Sequence, residues 1–136
     1  MKSKRSFVSC LAVALLCLGA PLAALAEQVV VIANSGTQLS GADVTEVFLG
    51  EKQFAGSTKL VPVDNGALQD AFLSKVMKLD SGKYNGKWAK KSFREGLNPP
   101  PVKSGDAEVI EYVKRTPGAV GYVGSAPGGV NIVQKY

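Results

Sequence analysis

The sequence contains no histidine. This absence excludes nucleophilic sites built on Ser-His or Cys-His pairs and metal sites with histidine ligands. Cysteine occurs twice, as Cys10 and Cys17, and both lie near the N-terminus. If the N-terminal segment is removed, the remaining chain has no thiol, no disulfide and no cysteine-ligated metal.

That segment has the pattern of a secretory signal peptide. Basic residues at positions 2–5 precede an apolar stretch at 7–18, and residues 24–26 read Ala-Leu-Ala, a typical cleavage signal. We therefore predict a signal peptide at residues 1–26 and a mature domain at 27–136, exported to the periplasm. An uncleaved membrane anchor is the alternative, because the apolar stretch is nearly long enough to span a bilayer.

The mature chain has little net charge. Removing 26 of 136 residues leaves 110, which suits one domain with a core of its own. Three of the 16 basic residues are removed with the segment, so 13 basic residues face 11 acidic residues, a net charge of +2. A nucleic-acid-binding domain normally carries a larger excess, and we predict no nucleic-acid partner.

The stretch from residue 29 to residue 50 begins the domain. Residues 29–33 are a continuous apolar run, which predicts a strand covered on both faces. Turn-forming residues follow, and Ser40 is a suitable N-cap for a helix, with Asp43 three positions later. Gly50 is a predicted helix stop.

The rest of the chain predicts more strands and helices in alternation. Strands are expected at residues 59–64, 119–123 and 130–133, and helices at 67–77, 83–95 and up to Val113. Gly121 within its strand indicates close approach of another backbone segment. The predicted fold is α/β, with a mainly parallel sheet and helices on both faces.

Ligands of such sheets bind beyond the carboxyl ends of the strands. Hydroxyls and free N–H groups there could hold a small anion. The alternative for the first loop is an ordinary turn with a capped helix. The residues assigned to a ligand site are Ser35, Gly36, Thr37, Ser40, Asp64 and Gly66.

The helix predicted at residues 83–95 combines aromatic and basic side chains. Tyr84 and Trp88 lie four positions apart, and Phe93 is expected on the same apolar side. The basic residues fall within about 100° of arc at 3.6 residues per turn. They form either an ordinary solvated face or a surface for an acidic partner or anionic lipid headgroups. They are Lys83, Lys87, Lys90, Lys91 and Arg94.

Three stretches resemble phosphate-type periplasmic substrate-binding proteins. They are the Leu-Ser, Asp and Val-Phe-Leu-Gly pattern at residues 39–50, the Trp, Phe and Pro-Pro pattern at 88–100, and Pro-Gly-Ala-Val-Gly-Tyr-Val at 117–123. The resemblance implies one lobe of a type II periplasmic-binding-protein fold. It also implies capture of phosphate or a related oxyanion for an ABC transporter in the inner membrane.

The sequence departs from this family in two ways. Full-length members close two lobes around a ligand, and 110 residues supply about one. The family's Ser-Gly-Thr and arginine element corresponds to residues 66–69, Gly-Ala-Leu-Gln, which lack the hydroxyls and the guanidinium that clamps an oxyanion.

Two functions therefore remain open. One is a solute-binding module; the other is an interaction module that binds no solute and docks on a membrane partner or sensor. No residue spacing indicates an active site, so we predict that the chain is not an enzyme and uses no metal or cofactor.

Overall fold

The computed structural model of the protein describes residues 27–136, and the predicted signal peptide lies outside the described residues. The strands are β1 (Val30–Asn34), β2 (Phe54–Ala55), β3 (Thr58–Lys59), β4 (Val61–Pro62), β5 (Asp64–Asn65), β6 (Val102–Lys103), β7 (Ala119–Val123) and β8 (Val130–Lys135). The α-helices are α1 (Val44–Phe48), α2 (Gln69–Phe72), α3 (Ser81–Glu95) and α4 (Asp106–Arg115). A 3₁₀ turn at Gly41–Asp43 leads into α1, and a π-helical turn at Leu73–Met77 follows α2. Within residues 27–136, no helix has the length and hydropathy that a membrane span requires.

The central sheet has four strands in the order β4-β7-β1-β8. β1 is antiparallel to both of its neighbours, and the β4–β7 pair is parallel. The prediction of a mainly parallel sheet is therefore wrong for this sheet. An apolar run indicates that a strand is buried on both faces. A central strand is buried in this way whether its neighbours are parallel or antiparallel to it. The strands predicted at residues 29–33 and 119–123 do lie in one sheet, since Val30 lies opposite Val123.

Helices cover both faces of the sheet, as predicted. Alternate residues of the first strand point to opposite sides. Val31 and Ala33 join the larger core, which also contains residues of α1, α2 and α3. Val30 and Ile32 join a smaller core with Val109 of α4.

The larger core is built around three aromatic rings. The ring of Phe72 stacks on that of Tyr122, with centroids 3.9 Å apart, and Phe48 meets both rings edge-on at 4.8 and 5.6 Å. All three side chains are fully buried. Aromatic pairs in these arrangements stabilise a core beyond the area that they bury.

Close packing explains the glycine in β7. A Cβ atom on Gly121 would lie 2.6 Å from Cγ1 of Val109. The sequence predicts a close backbone segment here, whereas the nearest atoms belong to valine side chains, those of Val109 and Val113 in α4 and that of Val63.

The segment that is predicted as the second strand is less regular than expected. Residues 59–64 do not form one strand: β3 pairs with β2 in a hairpin, β4 joins the central sheet, and β5 pairs with β6. Pro62 has no N–H, and a proline in a strand interrupts the ladder of hydrogen bonds. The segment at residues 51–57, between α1 and β3, contains the short strand β2.

Candidate functional site

The polar groups of the loop after β1 form hydrogen bonds within the domain. The N–H groups of Gly36 and Thr37 donate to Oδ1 and to the carbonyl oxygen of Asn34, at 3.1 and 2.8 Å. The hydroxyl of Thr37 is buried and accepts a hydrogen bond from the N–H of Gly118 at 3.1 Å. Asn131 of β8 donates to the carbonyl oxygens of Ser35 and Thr37.

Ser40 caps the following turn, as its spacing from Asp43 predicts. Both the N–H and the hydroxyl of Ser40 donate to Oδ2 of Asp43, at 3.1 and 3.0 Å. These hydrogen bonds hold the pKa of Asp43 below its usual value, with a further contribution from Lys52 at 3.2 Å. The helix that follows has five residues, so its contribution to an anion site through aligned backbone dipoles is small.

Asp64 is buried, and both of its carboxylate oxygens have partners. The hydroxyls of Tyr84 and Tyr122 donate to Oδ2 and Oδ1, at 2.8 and 2.9 Å. Burial raises the pKa of Asp64, while the two tyrosine hydrogen bonds act in the opposite direction. The pKa of each tyrosine is raised, first by burial and then by the nearby carboxylate. Asp64 borders a recess of about 330 Å³, yet it has no carboxylate oxygen that lacks a hydrogen bond.

Gly66 lies in a second network beside Asp64. Its N–H donates to the carbonyl oxygen of Lys103 at 2.8 Å. The neighbouring Asn65 donates to Asp106 and to the carbonyl oxygen of Tyr122, at 2.8 and 3.0 Å. Asp106 also accepts from the N–H of Gly124 at 3.0 Å. These bonds join β5, α4 and the end of β7.

The structure places the predicted ligand residues in two groups. Ser35, Gly36, Thr37 and Ser40 lie at the Gly118 end of β7, and Asp64 and Gly66 lie towards its Gly124 end. The five residues of β7 make four steps of about 3.3 Å each, so its two ends lie roughly 13 Å apart. The cause is that β1 runs antiparallel to β7, whereas β4 runs parallel to it. The carboxyl ends of β1 and β4 therefore lie at opposite ends of the sheet.

The basic residues of α3 lie together, as their spacing predicts. Asp80 caps the helix by accepting from the N–H of Lys83 at 2.8 Å, and Gly96 ends it with φ of 68°. A shallow recess of about 260 Å³ has four of the five cations in its lining, together with Leu49, Glu51 and Glu95. These cations are Lys87, Lys90, Lys91 and Arg94.

Lys91 is the member of this group with an ionic partner, Glu95, at 3.8 Å. Within residues 27–136, the other three cations and Lys83 lie farther than 4 Å from any carboxylate. Four of the five residues in the basic face of α3, defined as Lys83, Lys87, Lys90, Lys91 and Arg94, therefore make no ion pair within the described part of the chain, and Glu51 and Glu95 are the acidic residues in the lining of the recess.

Phe93 does not lie with Tyr84 and Trp88, contrary to prediction. Tyr84 and Trp88 are buried, whereas the side chain of Phe93 is 93% exposed. Nine residues of α-helix turn through about 900°, which leaves Phe93 on the side opposite Tyr84. An exposed phenylalanine therefore lies beside the basic face of α3.

Sequence reasoning missed the partners of Asp64 and the second network. One signal was present: the hydroxyl of a buried tyrosine normally finds a hydrogen-bond partner. Nothing in the sequence indicated which acidic residue would meet Tyr84 and Tyr122. Among the described residues, no three Asp, Glu, Cys or His side chains are grouped as a metal site requires.

The fold is similar to two solved receptor structures. It matches an ABC-type phosphate transport receptor from Vibrio cholerae over 78% of this chain, with 15% identity and a TM-score of 0.48. It matches PstS from Borrelia burgdorferi over 77% of this chain, with 17% identity and a TM-score of 0.46. The chain spans 45% of the first protein and 46% of the second, which is less than half of either.

The sequence comparisons give no further relative. No protein-family model matches the chain, and no curated protein is significantly similar to it.

Proposed function

We propose that this protein is an exported domain, built like one lobe of a substrate-binding protein, that docks on the anionic surface of a membrane through α3. The observation that carries the proposal is the basic face of α3, where most cations have no ionic partner among residues 27–136, with the exposed ring of Phe93 beside it. Anionic lipids attract such cations by about 1 kcal/mol each.

Phe93 favours a lipid surface over an acidic protein as the partner. A phenylalanine with 93% of its side chain in water gains about 1.5–3 kcal/mol when it is fully buried. Ala89, one helical turn earlier, is small and exposed, so it does not shield the ring. Aromatic side chains next to lysine and arginine are typical of helices that lie in the headgroup region.

The test measures binding of the purified protein to vesicles of phosphatidylcholine with and without phosphatidylglycerol, by co-sedimentation. We expect binding that needs phosphatidylglycerol and falls at high salt. Lys87→Glu combined with Lys90→Glu is expected to weaken it by roughly thirtyfold or more, from about 1 kcal/mol per cation. Phe93→Ser should weaken binding without changing its salt dependence.

The matched control is Lys114→Glu combined with Lys135→Glu. Both positions are exposed and lie outside α3, and the change in net charge is the same. If both double variants lose binding equally, net charge alone causes the attraction and the docking face is rejected. Equal binding to the two kinds of vesicle would also reject it.

The same preparation tests export. The protein should be expressed from the whole coding sequence and its intact mass measured. Cleavage after residue 26 predicts a chain that begins at Glu27. A mass that includes residues 1–26 would support the membrane-anchor alternative.

Capture of phosphate for a transporter is the second candidate, and the motifs at residues 39–50 and 117–123 support it. The loop would need to release some of its internal hydrogen bonds to bind an anion. Calorimetry with phosphate tests this, and Ser35→Ala with Thr37→Ala is expected to abolish the heat. If phosphate gives no heat of binding with the unmutated protein, phosphate is rejected as the ligand.

A further inference from the structure

A cavity outside both sites described above has the features of a ligand pocket. It measures about 400 Å³ and lies between the end of α1, strand β4 and the proline-rich connector at residues 96–101. The side chains of Leu60, Trp88, Leu97 and Pro100 are among its walls. Pockets for small organic ligands are mostly apolar, have volumes of about 300–1,000 Å³ and contain a few placed polar groups.

The walls of this cavity are held in place without a ligand. The indole Nε1–H of Trp88 donates to the carbonyl oxygen of Phe48 at 3.0 Å, which fixes the ring. Gly50 has φ of 71°, and a Cβ atom there would lie 2.7 Å from the Trp88 ring. The prolines of the connector restrict its backbone. A preformed cavity costs a ligand little ordering free energy.

The charged groups at this cavity all have the same sign. Of the described residues that line it, Lys52 and Lys59 are charged, and none is an aspartate or a glutamate. Lys52 contacts Asp43 at 3.2 Å, outside the lining. Within the described part of the chain, Lys59 has no carboxylate within 4 Å. A mostly apolar recess that is lined by a lysine without an ionic partner among the described residues favours a ligand with an apolar body and one negative charge.

We propose that this cavity binds a small amphiphilic carboxylate, with its apolar part against Trp88 and Leu60 and its carboxylate near Lys59. The site is independent of the docking face on α3. A free inorganic anion has no apolar part to bury here, so it gains nothing from contact with Trp88 and Leu60.

The chain offers a direct probe, since Trp88 is its only tryptophan. The full protein should be titrated with octanoate while tryptophan emission and the melting temperature are recorded. We expect a saturable change in emission and a higher melting temperature. Octylamine and inorganic phosphate should give neither response, and octanol a weaker one.

Lys59→Gln is expected to weaken octanoate binding by roughly fivefold, as for a partly exposed ion pair. Lys135→Gln is the matched control and should leave it unchanged. Equal responses to octanoate and octylamine would overturn the proposal, as would a Lys59→Gln variant that binds normally. Absence of both the spectral and the thermal response would also overturn it. The double variant at Lys87 and Lys90 should still bind octanoate, so failure of this site and failure of the docking face are distinguishable.

Discussion

Replacing Tyr84 by phenylalanine should destabilise the domain substantially, although the change removes a single oxygen atom. The hydroxyl of Tyr84 donates to Oδ2 of Asp64 at 2.8 Å, and both residues are almost completely buried. Without that hydroxyl, one buried carboxylate oxygen loses its hydrogen-bond donor. A hydrogen bond to a charged group contributes about 1.5–3 kcal/mol, so we expect the free energy of unfolding to fall by that amount.

Urea denaturation at neutral pH measures this change. Tyr122→Phe should have an effect of similar size, because its hydroxyl donates to the other oxygen of Asp64 at 2.9 Å. Asp64→Ala should cost more, about 2–6 kcal/mol, since it leaves two buried hydroxyls without an acceptor. Tyr112→Phe is the matched control: within residues 27–136 its hydroxyl makes no hydrogen bond, and the change should stay within about 0.5 kcal/mol.

The same site predicts how stability depends on pH. Burial raises the pKa of Asp64 in the folded protein, so folding favours its protonated form. The contribution of Asp64 to stability is therefore fully present below its unfolded pKa and is lost as pH rises through its folded pKa. Asp64→Asn has no such titration. The free energy of unfolding of Asp64→Asn minus that of the unmutated protein should therefore increase as pH rises through this range.

Two results would refute this reasoning. If the difference between Asp64→Asn and the unmutated protein decreases with rising pH, the tyrosine hydrogen bonds outweigh burial and the pKa is lowered. If Tyr84→Phe is as mild as Tyr112→Phe, the hydroxyl is not needed by the carboxylate.

The remaining predictions concern contacts at the other end of β7. Gly118→Ala should destabilise the domain severely, by roughly 3 kcal/mol or more, because φ at Gly118 is 80° and a Cβ atom there would overlap the carbonyl oxygen of Lys59. Gly105→Ala, where a Cβ atom meets nothing within 4 Å, should have little effect, and equal losses in the two variants would contradict the reasoning. Thr37→Val should cost about 1–3 kcal/mol, because it removes the acceptor of the buried Gly118 N–H, while Thr37→Ser retains that acceptor. Urea denaturation measures all of these changes, and a Thr37→Val variant as stable as Thr37→Ser would show that the hydroxyl is not the important group.

Local features of the fold could be predicted from the sequence. Ser40 and Asp43 cap the first turn, and Gly50 ends α1 with a positive φ. The apolar run before Asn34 forms a strand that is buried on both faces. Each of these features depends on residues that are close in the chain, so a short stretch of sequence contains the physical cause.

The basic face of α3 was predicted and the position of Phe93 was not. Helical spacing correctly grouped four cations in the lining of one recess. The same geometry, applied over nine residues, places Phe93 opposite Tyr84, so the prediction of a shared apolar side was wrong in its use of the helical period.

Strand direction and the grouping of distant residues required the tertiary structure. Apolar runs identify β1 and β7 as buried strands, but the same runs fit parallel and antiparallel neighbours equally well. The antiparallel pairing places Thr37 and Asp64 at opposite ends of β7. It thereby separates residues that a parallel sheet would have brought to one edge.

By itself, the sequence determined the absence of histidine chemistry, the capped turns, the buried strands and the basic face of α3. Only the tertiary structure decided that Asp64 is enclosed by Tyr84 and Tyr122, and that Trp88 lines a cavity with Lys59. The physical reason is the separation along the chain between the residues that interact. Caps, turns and helical faces depend on contacts between near neighbours in the chain. The surroundings of a buried side chain are set by packing between segments that the chain order does not place together.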